Sequence, residues 1–94
     1  MEYELTPRAK ADIKNIIKYT VQNFGPQQAD EYVDGLYYSF DLLTDNPRMG
    51  QLIRGRDRRY VYRSHYVFYR VEKSVIKIAT IWHTKKKLPK RWEQ

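Results

Sequence analysis

Two helical patterns in the first half of the chain meet at a link of only two residues, Gly25-Pro26. Apolar side chains recur at three- and four-residue steps over residues 9–24, and the same spacing returns over residues 29–43, which predicts two amphipathic helices. Thr6-Pro7 has the character of an N-cap followed by proline in the first helical turn. Helices joined by so short a link run antiparallel, so we predict a helical hairpin over residues 7–45.

The rest of the chain is strand-like. Residues 2–6 alternate between polar and apolar side chains, which predicts a short strand before the hairpin. After Asn46-Pro47 ends the second helix, β-branched and aromatic residues fill segments 58–63, 66–71 and 75–82. The last two are apolar on both faces, as expected of central strands covered by helices. The order β-α-α-β-β-β predicts an α+β fold, with the N-terminal helical hairpin packed on a mainly antiparallel sheet, in a single domain of 94 residues.

Composition removes several classes of function. The chain has no cysteine, so disulfides, thiolate metal sites and a cysteine nucleophile are excluded. Charge from Glu2 onward leaves no apolar core for a secretory signal, and no apolar run approaches the roughly 20 residues of a membrane span. Two histidines do not make a metal site, and no glycine-rich phosphate loop follows a strand. We therefore expect a cytoplasmic protein with no metal or cofactor.

Charge is distributed unevenly along the chain. Residues 1–50 hold five basic and eight acidic side chains, a net of −3, whereas residues 51–94 hold thirteen and three, a net of +10; together they give +7. Clustered Arg and Lys indicate an anionic partner, such as a phosphate backbone, a ribosome or an acidic protein surface. Charge by itself does not distinguish among these partners.

Five segments of the chain form a recognisable series: LTPRAKADI at residues 5–13, FGPQQA at 24–29, LLTDNPRMG at 42–50, SHYVFYRV at 64–71 and IWH at 81–83. In this order and spacing, they resemble the RelE/ParE superfamily of bacterial toxins from toxin–antitoxin pairs. The aromatic-glycine link and the SHxxFYR strand resemble the ParE branch in particular.

The two branches of that superfamily imply different mechanisms. RelE-like members cleave mRNA inside the ribosome with basic residues and an acid/base group on the sheet. ParE-like members lack that catalytic set and poison DNA gyrase. Resemblance to either branch implies neutralisation by an antitoxin whose C-terminal segment wraps around the toxin; here that antitoxin would be ParD-like, in a toxin–antitoxin hetero-oligomer.

Cleavage of RNA by attack of a 2′-hydroxyl needs a base, an acid and a cation on the developing charge. The nearest candidates are His83, Lys85, Arg59 and Arg63. The RNase branch typically has Arg where this chain has Tyr66, and often Tyr where it has Thr84. These departures favour the ParE reading, with no catalytic residues, and leave a ribosome-dependent mRNA endonuclease as the alternative. We interpret His65 as a structural residue at a strand start.

Two basic clusters are the candidate target-binding surfaces. The first is the arginine-rich strand, where Arg59 and Arg63 are expected on one face and Arg58 on the other; the alternative is an edge strand protected by charge. The second is the basic tail of residues 85–94, which is either a solubilising end or, as the ParE resemblance implies, the segment that carries toxicity. We predict that deleting this tail abolishes toxicity and leaves the fold intact. The predicted target-binding residues are Arg56, Arg58, Arg59, Arg63, Lys85, Lys86, Lys87, Lys90, Arg91 and Trp92.

A partner helix also needs a place to dock. We predict that an antitoxin helix lies in a groove bounded by the helical hairpin and the sheet, with its acidic residues meeting the arginines. A third functional hypothesis is a simple nucleic-acid-binding module, for which the basic patch is the whole function and binding is salt-sensitive.

Overall fold

The computed structural model describes residues 1–92, apart from the side chain of Arg91. The elements follow one another as β1 (Glu2–Leu5), α1 (Pro7–Phe24), α2 (Pro26–Asp45), β2 (Gln51–Arg54), β3 (Asp57–Tyr62), β4 (His65–Glu72), β5 (Val75–His83) and a 3-10 turn (Lys90–Trp92).

The helical hairpin begins and turns where the sequence predicted. The Thr6 hydroxyl accepts a hydrogen bond from the backbone N–H of Ala9 at 3.1 Å and so caps α1. Gly25 ends α1 with φ of 91° and donates its N–H to the carbonyl of Val21. Glycine takes this left-handed backbone at little cost, and Pro26 then starts α2 with its fixed φ.

The five strands form one sheet in the order β1-β5-β4-β3-β2, in which β1 runs parallel to β5 and the other neighbours are antiparallel. The α+β prediction is confirmed, with β4 and β5 inside the sheet. Two details were wrong. The sequence pattern assigned no strand to β2, which pairs outside β3, so the arginine-rich strand is not an edge. Arg63 lies in the turn after β3 with φ of 50° and does not share a strand face with Arg59.

The hydrophobic core lies between the hairpin and one face of the sheet. Leu36, Phe40 and Leu43 of α2 are fully buried against the inner residues of β4 and β5. Because side chains alternate along a strand, the core residues Val67 and Tyr69 define the inner face of β4. The residues between and beside them, Tyr66, Phe68 and Arg70, belong to the opposite, outer face.

A β-bulge in β5 adjusts this alternation. Phe68 pairs with Thr80, whereas the next residue of β4, Tyr69, pairs with Ile78, so Ala79 is an extra residue in β5. The bulge lets both Ile78 and Ile81 enter the same core, which a regular strand would not allow. Among the described residues, neither helix has the length and apolar character needed to cross a bilayer.

Candidate functional site

A groove opens where α1 passes the last residues of β5. Strand β1 pairs with β5 only as far as Ile78, and β5 continues to His83, so within residues 1–92 no strand pairs with its final residues on that side. The groove between this edge and α1 has a volume of about 560 Å³. Its walls combine apolar side chains with a basic rim: Ile16, Tyr19, Ile81 and Trp82 among the former, and Arg8, Lys85 and Lys86 in the latter.

Asp12 of α1 accepts hydrogen bonds from the unpaired edge of β5. Its carboxylate accepts a hydrogen bond from the backbone N–H of Ile81 at 3.0 Å and another from the Thr80 hydroxyl at 2.5 Å. Its other oxygen accepts from Arg8 Nε at 3.2 Å. Buried backbone donors need a partner, so Asp12 both satisfies the open edge and fixes α1 against it.

Trp82 lies at the mouth of the groove between two cations. The Arg8 guanidinium is 5.7 Å from the ring centroid and Lys86 Nζ is 4.9 Å from it. Such distances are those of cation–π contacts. The indole N–H of Trp82 also donates to the carbonyl of Lys86 at 3.2 Å, so the ring is tied to the basic segment that follows β5.

Two histidines meet at the end of the groove. His65 and His83 are register partners on neighbouring strands, and their ring centroids are 5.1 Å apart. The Tyr32 hydroxyl accepts a hydrogen bond from the backbone N–H of Ser64 at 3.3 Å and forms a second hydrogen bond, of 2.6 Å, with Nδ1 of His65. Burial, reinforced by the nearby His83, lowers the pKa of His65 from 6.5 to about 4. This direction favours the neutral imidazole, and the contacts with Tyr32 and His83 hold the ring at the start of β4.

His83 is also held by the backbone. Its Nδ1 accepts from the N–H of Lys85 at 3.1 Å, so the neutral imidazole carries its proton on Nε2.

The outer face of the sheet has an ionic end. Arg70 binds the buried carboxylate of Asp57 through Nε at 2.9 Å and Nη2 at 2.6 Å. The carboxylate of Glu72 lies 3.7 Å from both Arg70 and Arg56. The bond to Asp57 is the main cause that raises the pKa of Arg70. Arg56 and Arg70 thus each have a carboxylate partner on this face.

The other end of the outer face is aromatic. Tyr66 and Phe68 lie with ring centroids 5.8 Å apart, and the Arg59 guanidinium is 4.7 Å from the Tyr66 ring centroid. Arg59 Nη2 also donates to the Gln51 side chain at 2.9 Å. Trp92 stacks on Phe68 with centroids 4.6 Å apart and an angle of 27° between the ring planes.

The predicted target-binding residues divide into two groups. Three have partly or fully buried side chains: Arg58 donates to the carbonyl of Gly50 at 2.8 Å, Arg59 contacts Tyr66, and Trp92 is only 7% exposed. Their availability to a target remains a prediction. The side chain of Arg91 lies outside the described residues. Exposed side chains belong to Arg56, Arg63, Lys85, Lys86, Lys87 and Lys90.

The candidate RNase residues do not come together as one set. His83 pairs with His65 and faces the helices, whereas Arg59 pairs with Phe68 on the outer face. Arg63 lies in the exposed turn after β3, with its guanidinium 5.8 Å from the Tyr62 ring centroid. His83 has Lys85 nearby, but the cation of Arg59 is on the other side of the sheet.

Sequence reasoning missed Asp12, Tyr32 and the Asp57–Arg70 pair. Asp12 looks like one more polar residue on a helix, and its partners Thr80 and Ile81 are far away in the chain. Only a strand register brings Asp57 opposite Arg70. Among the described residues, no three His, Asp or Glu side chains cluster as they would around a metal ion.

Comparison with known proteins gives a consistent result. Residues 3–88 match the model of the family described as "ParE toxin of type II toxin-antitoxin system, parDE". The chain is 40% identical over 72 residues to Toxin ParE1 of Caulobacter vibrioides, covering 73% of this chain and 75% of that one. It is 33% identical over 85 residues to Toxin ParE1 of Mycobacterium tuberculosis, covering 86% and 87% respectively.

A solved structure shares the fold. The chain matches a structure titled "Chromosomal ParDE TA system from P. aeruginosa" with a TM-score of 0.80 and 22% identity, over 90% of this chain and 97% of that chain. At this identity the match supports the arrangement of hairpin and sheet, and the family assignment depends on the sequence matches.

Proposed function

This chain belongs to the ParE toxin family of type II toxin–antitoxin systems, and we propose that it inhibits DNA gyrase by binding, without catalytic chemistry of its own, and is neutralised by a cognate antitoxin. Gyrase acts on chromosomal DNA, so the proposed site of action is the cytoplasm. The observation that carries the proposal is the group of exposed lysines after β5, Lys85, Lys86, Lys87 and Lys90. A cationic surface suits recognition of acidic protein or of DNA phosphates bound to the enzyme.

The position of the candidate RNase residues supports binding in preference to cleavage. General acid–base catalysis requires the base, the acid and the stabilising cation within reach of one substrate. His83 and Arg59 face opposite sides of the sheet, so the set nominated for RNA cleavage is divided. Tyr66 and Thr84, where the chain departs from the RNase branch, also support binding in preference to RNA cleavage.

The groove along α1 is the proposed antitoxin site. Its apolar walls, Ile16 and Ile81, suit the apolar face of a helix, and its rim cations Arg8 and Lys86 suit carboxylates on the same helix. Tyr19, which is 60% exposed, adds an aromatic contact at this surface. An acidic, amphipathic antitoxin segment therefore matches the groove in both shape and charge.

The test is a supercoiling assay with purified gyrase and purified toxin. We expect wild-type protein to inhibit supercoiling, and the double charge reversal K87E/K90E to lower inhibition by about tenfold or more. The matched control K14E/K18E makes the same change in net charge on exposed positions of α1 outside the groove, and it should retain inhibition.

Three outcomes would contradict the proposal. The first is an absence of gyrase inhibition by wild-type protein. The second is cleavage of mRNA on translating ribosomes that stops with His83→Ala, which would establish the endonuclease. The third is equal loss in both double variants, together with salt-sensitive binding of bare DNA, which would indicate a general nucleic-acid-binding module.

A further inference from the structure

The geometry points to Trp92 as an anchor that closes the basic segment into a loop, so that its lysines meet the target as a fixed surface and not as a free tail. The inference rests on the proposed function and assigns Trp92 a positioning role. The segment that Trp92 closes, residues 84–91 between the end of β5 and Trp92, is the basic loop.

The first end of the basic loop is tied to the end of the sheet. The N–H of Thr84 donates to the carbonyl of Ser64 at 2.8 Å, and the N–H of Lys86 donates to the carbonyl of His83 at 3.0 Å. Nδ1 of His83 accepts from Lys85, and the indole of Trp82 donates to the carbonyl of Lys86. The chain therefore leaves β5 in a defined turn.

The second end of the basic loop is tied to the outer face of the sheet. Trp92 is 7% exposed, lies face to face with Phe68, and donates its backbone N–H to the carbonyl of Pro89 at 2.9 Å. Phe68 is fully buried although it belongs to the face opposite the helices. Its burial on that side depends on a cover, and the stacked Trp92 ring provides one.

Anchoring at both ends has a consequence for binding. A free tail of this length would lose conformational freedom when it binds, whereas a closed loop has lost it already. Lys87 and Lys90 lie between the two anchors and are exposed. Closing the loop thus presents the cations in a set arrangement, and opening it would leave the same charges without that arrangement.

This role differs from direct target contact by Trp92. For its ring to bind the target, it would have to leave Phe68 and expose that apolar ring to water. The two roles predict different effects of a change at Phe68. The positioning role of Trp92 also changes what we expect when residues 85–94 are deleted. The truncated protein would lose the Trp92 ring that covers Phe68. We therefore expect it to keep the hairpin and sheet but to expose Phe68.

The experiment removes each partner of the stack in turn. Trp92→Ala and Phe68→Ala are compared with wild type and with Tyr38→Ala, an exposed aromatic residue of α2. Limited trypsin digestion, followed by mass spectrometry, measures the rate of cleavage after the loop lysines, and the supercoiling assay measures inhibition. Both stack variants should be cleaved about tenfold faster in the loop and should lose inhibition to a similar degree, whereas Tyr38→Ala should match wild type.

Controls for folding keep the result interpretable. Trp92→Phe retains a ring that can stack and should retain slow cleavage and inhibition. Phe68→Leu keeps apolar bulk at the strand position without an aromatic face, and replaces Phe68→Ala if that variant fails to fold. Far-UV circular dichroism identifies variants that have kept the hairpin and sheet.

Each result decides the inference separately from the proposed function. If the stack variants are cleaved no faster than wild type, the loop is not anchored by Trp92 and the inference is wrong. If Trp92→Ala loses inhibition while Phe68→Ala keeps it, Trp92 contacts the target directly and the inference is also wrong. If wild-type protein does not inhibit gyrase, the proposed function fails, and the trypsin comparison still decides whether Trp92 closes the loop.

Discussion

Replacement of His65 by glutamine should change how the stability of this protein depends on pH. In the folded chain the imidazole is partly buried and faces His83, and these two features lower its pKa from 6.5 to about 4. In the unfolded chain it regains the ordinary value. Between these two pH values the unfolded chain binds a proton that the folded chain does not, so stability falls as the pH decreases through this window.

The size of this effect follows from the pKa difference. A full shift from 6.5 to about 4 sets an upper limit of about 3 kcal/mol. His65 keeps contact with water at the groove, so screening reduces the expected loss to about 1–2 kcal/mol. Above pH 6.5 the imidazole is neutral in both states and makes no pH-dependent contribution.

Urea unfolding followed by circular dichroism across this pH window measures the effect. Wild-type protein should lose about 1–2 kcal/mol more than His65→Gln as the pH falls, since glutamine does not titrate. Carboxylates titrate in both proteins, so the difference between the two curves isolates the histidine. An NMR titration in which His65 protonates at or above pH 6.5 would refute the reasoning, as would parallel stability curves.

Two further substitutions test contacts that position the loops and the groove. Tyr69→Phe removes a hydroxyl that accepts from the N–H of Gly50 at 2.9 Å and donates to the carbonyl of Pro47 at 2.8 Å. We expect this change to lower the free energy of unfolding, measured in urea, by about 1–3 kcal/mol. A loss below about 0.5 kcal/mol would show that the loop finds other partners for the Gly50 N–H and the Pro47 carbonyl. Asp12→Ala leaves the N–H of Ile81 without its acceptor. We expect a similar loss in the free energy of unfolding and faster hydrogen exchange at the Ile81 amide. Unchanged exchange at that amide would contradict the role of Asp12 at the open edge.

Local sequence patterns fixed the elements that depend on neighbours in the chain. The Thr6 cap, the Gly25-Pro26 link and the periodic apolar positions defined both helices, since each of these signals acts within one or two helical turns. Strand β2 was not predicted because it is short, with the sequence QLIR, and is stabilised by hydrogen bonds to β3 that the sequence does not reveal. The turn at Arg63 was missed for a related reason, because the residues before it continue a strand pattern that gives no sign of ending.

The candidate site was only partly readable from the sequence. The excess of positive charge after residue 50 and the lysines of the tail were visible directly, because charge needs no fold to be counted. The hydrogen bond of Arg58 to the Gly50 carbonyl and the stacking of Trp92 on Phe68 could not be predicted from the sequence. Each is held by a residue that approaches it only through a strand register or a loop closure.

The amino-acid sequence by itself determined the helical hairpin, the strand-rich second half, the charge distribution and the resemblance to ParE toxins. The tertiary structure alone decided that Asp12 completes the open edge of β5, that burial lowers the pKa of His65, that His83 and Arg59 face opposite sides of the sheet, and that Trp92 covers Phe68. Helix patterns depend on short-range periodicity, which a sequence records residue by residue. Burial, pKa and accessibility depend on contacts between distant segments, and these exist only once the bulged, five-stranded sheet has brought them together.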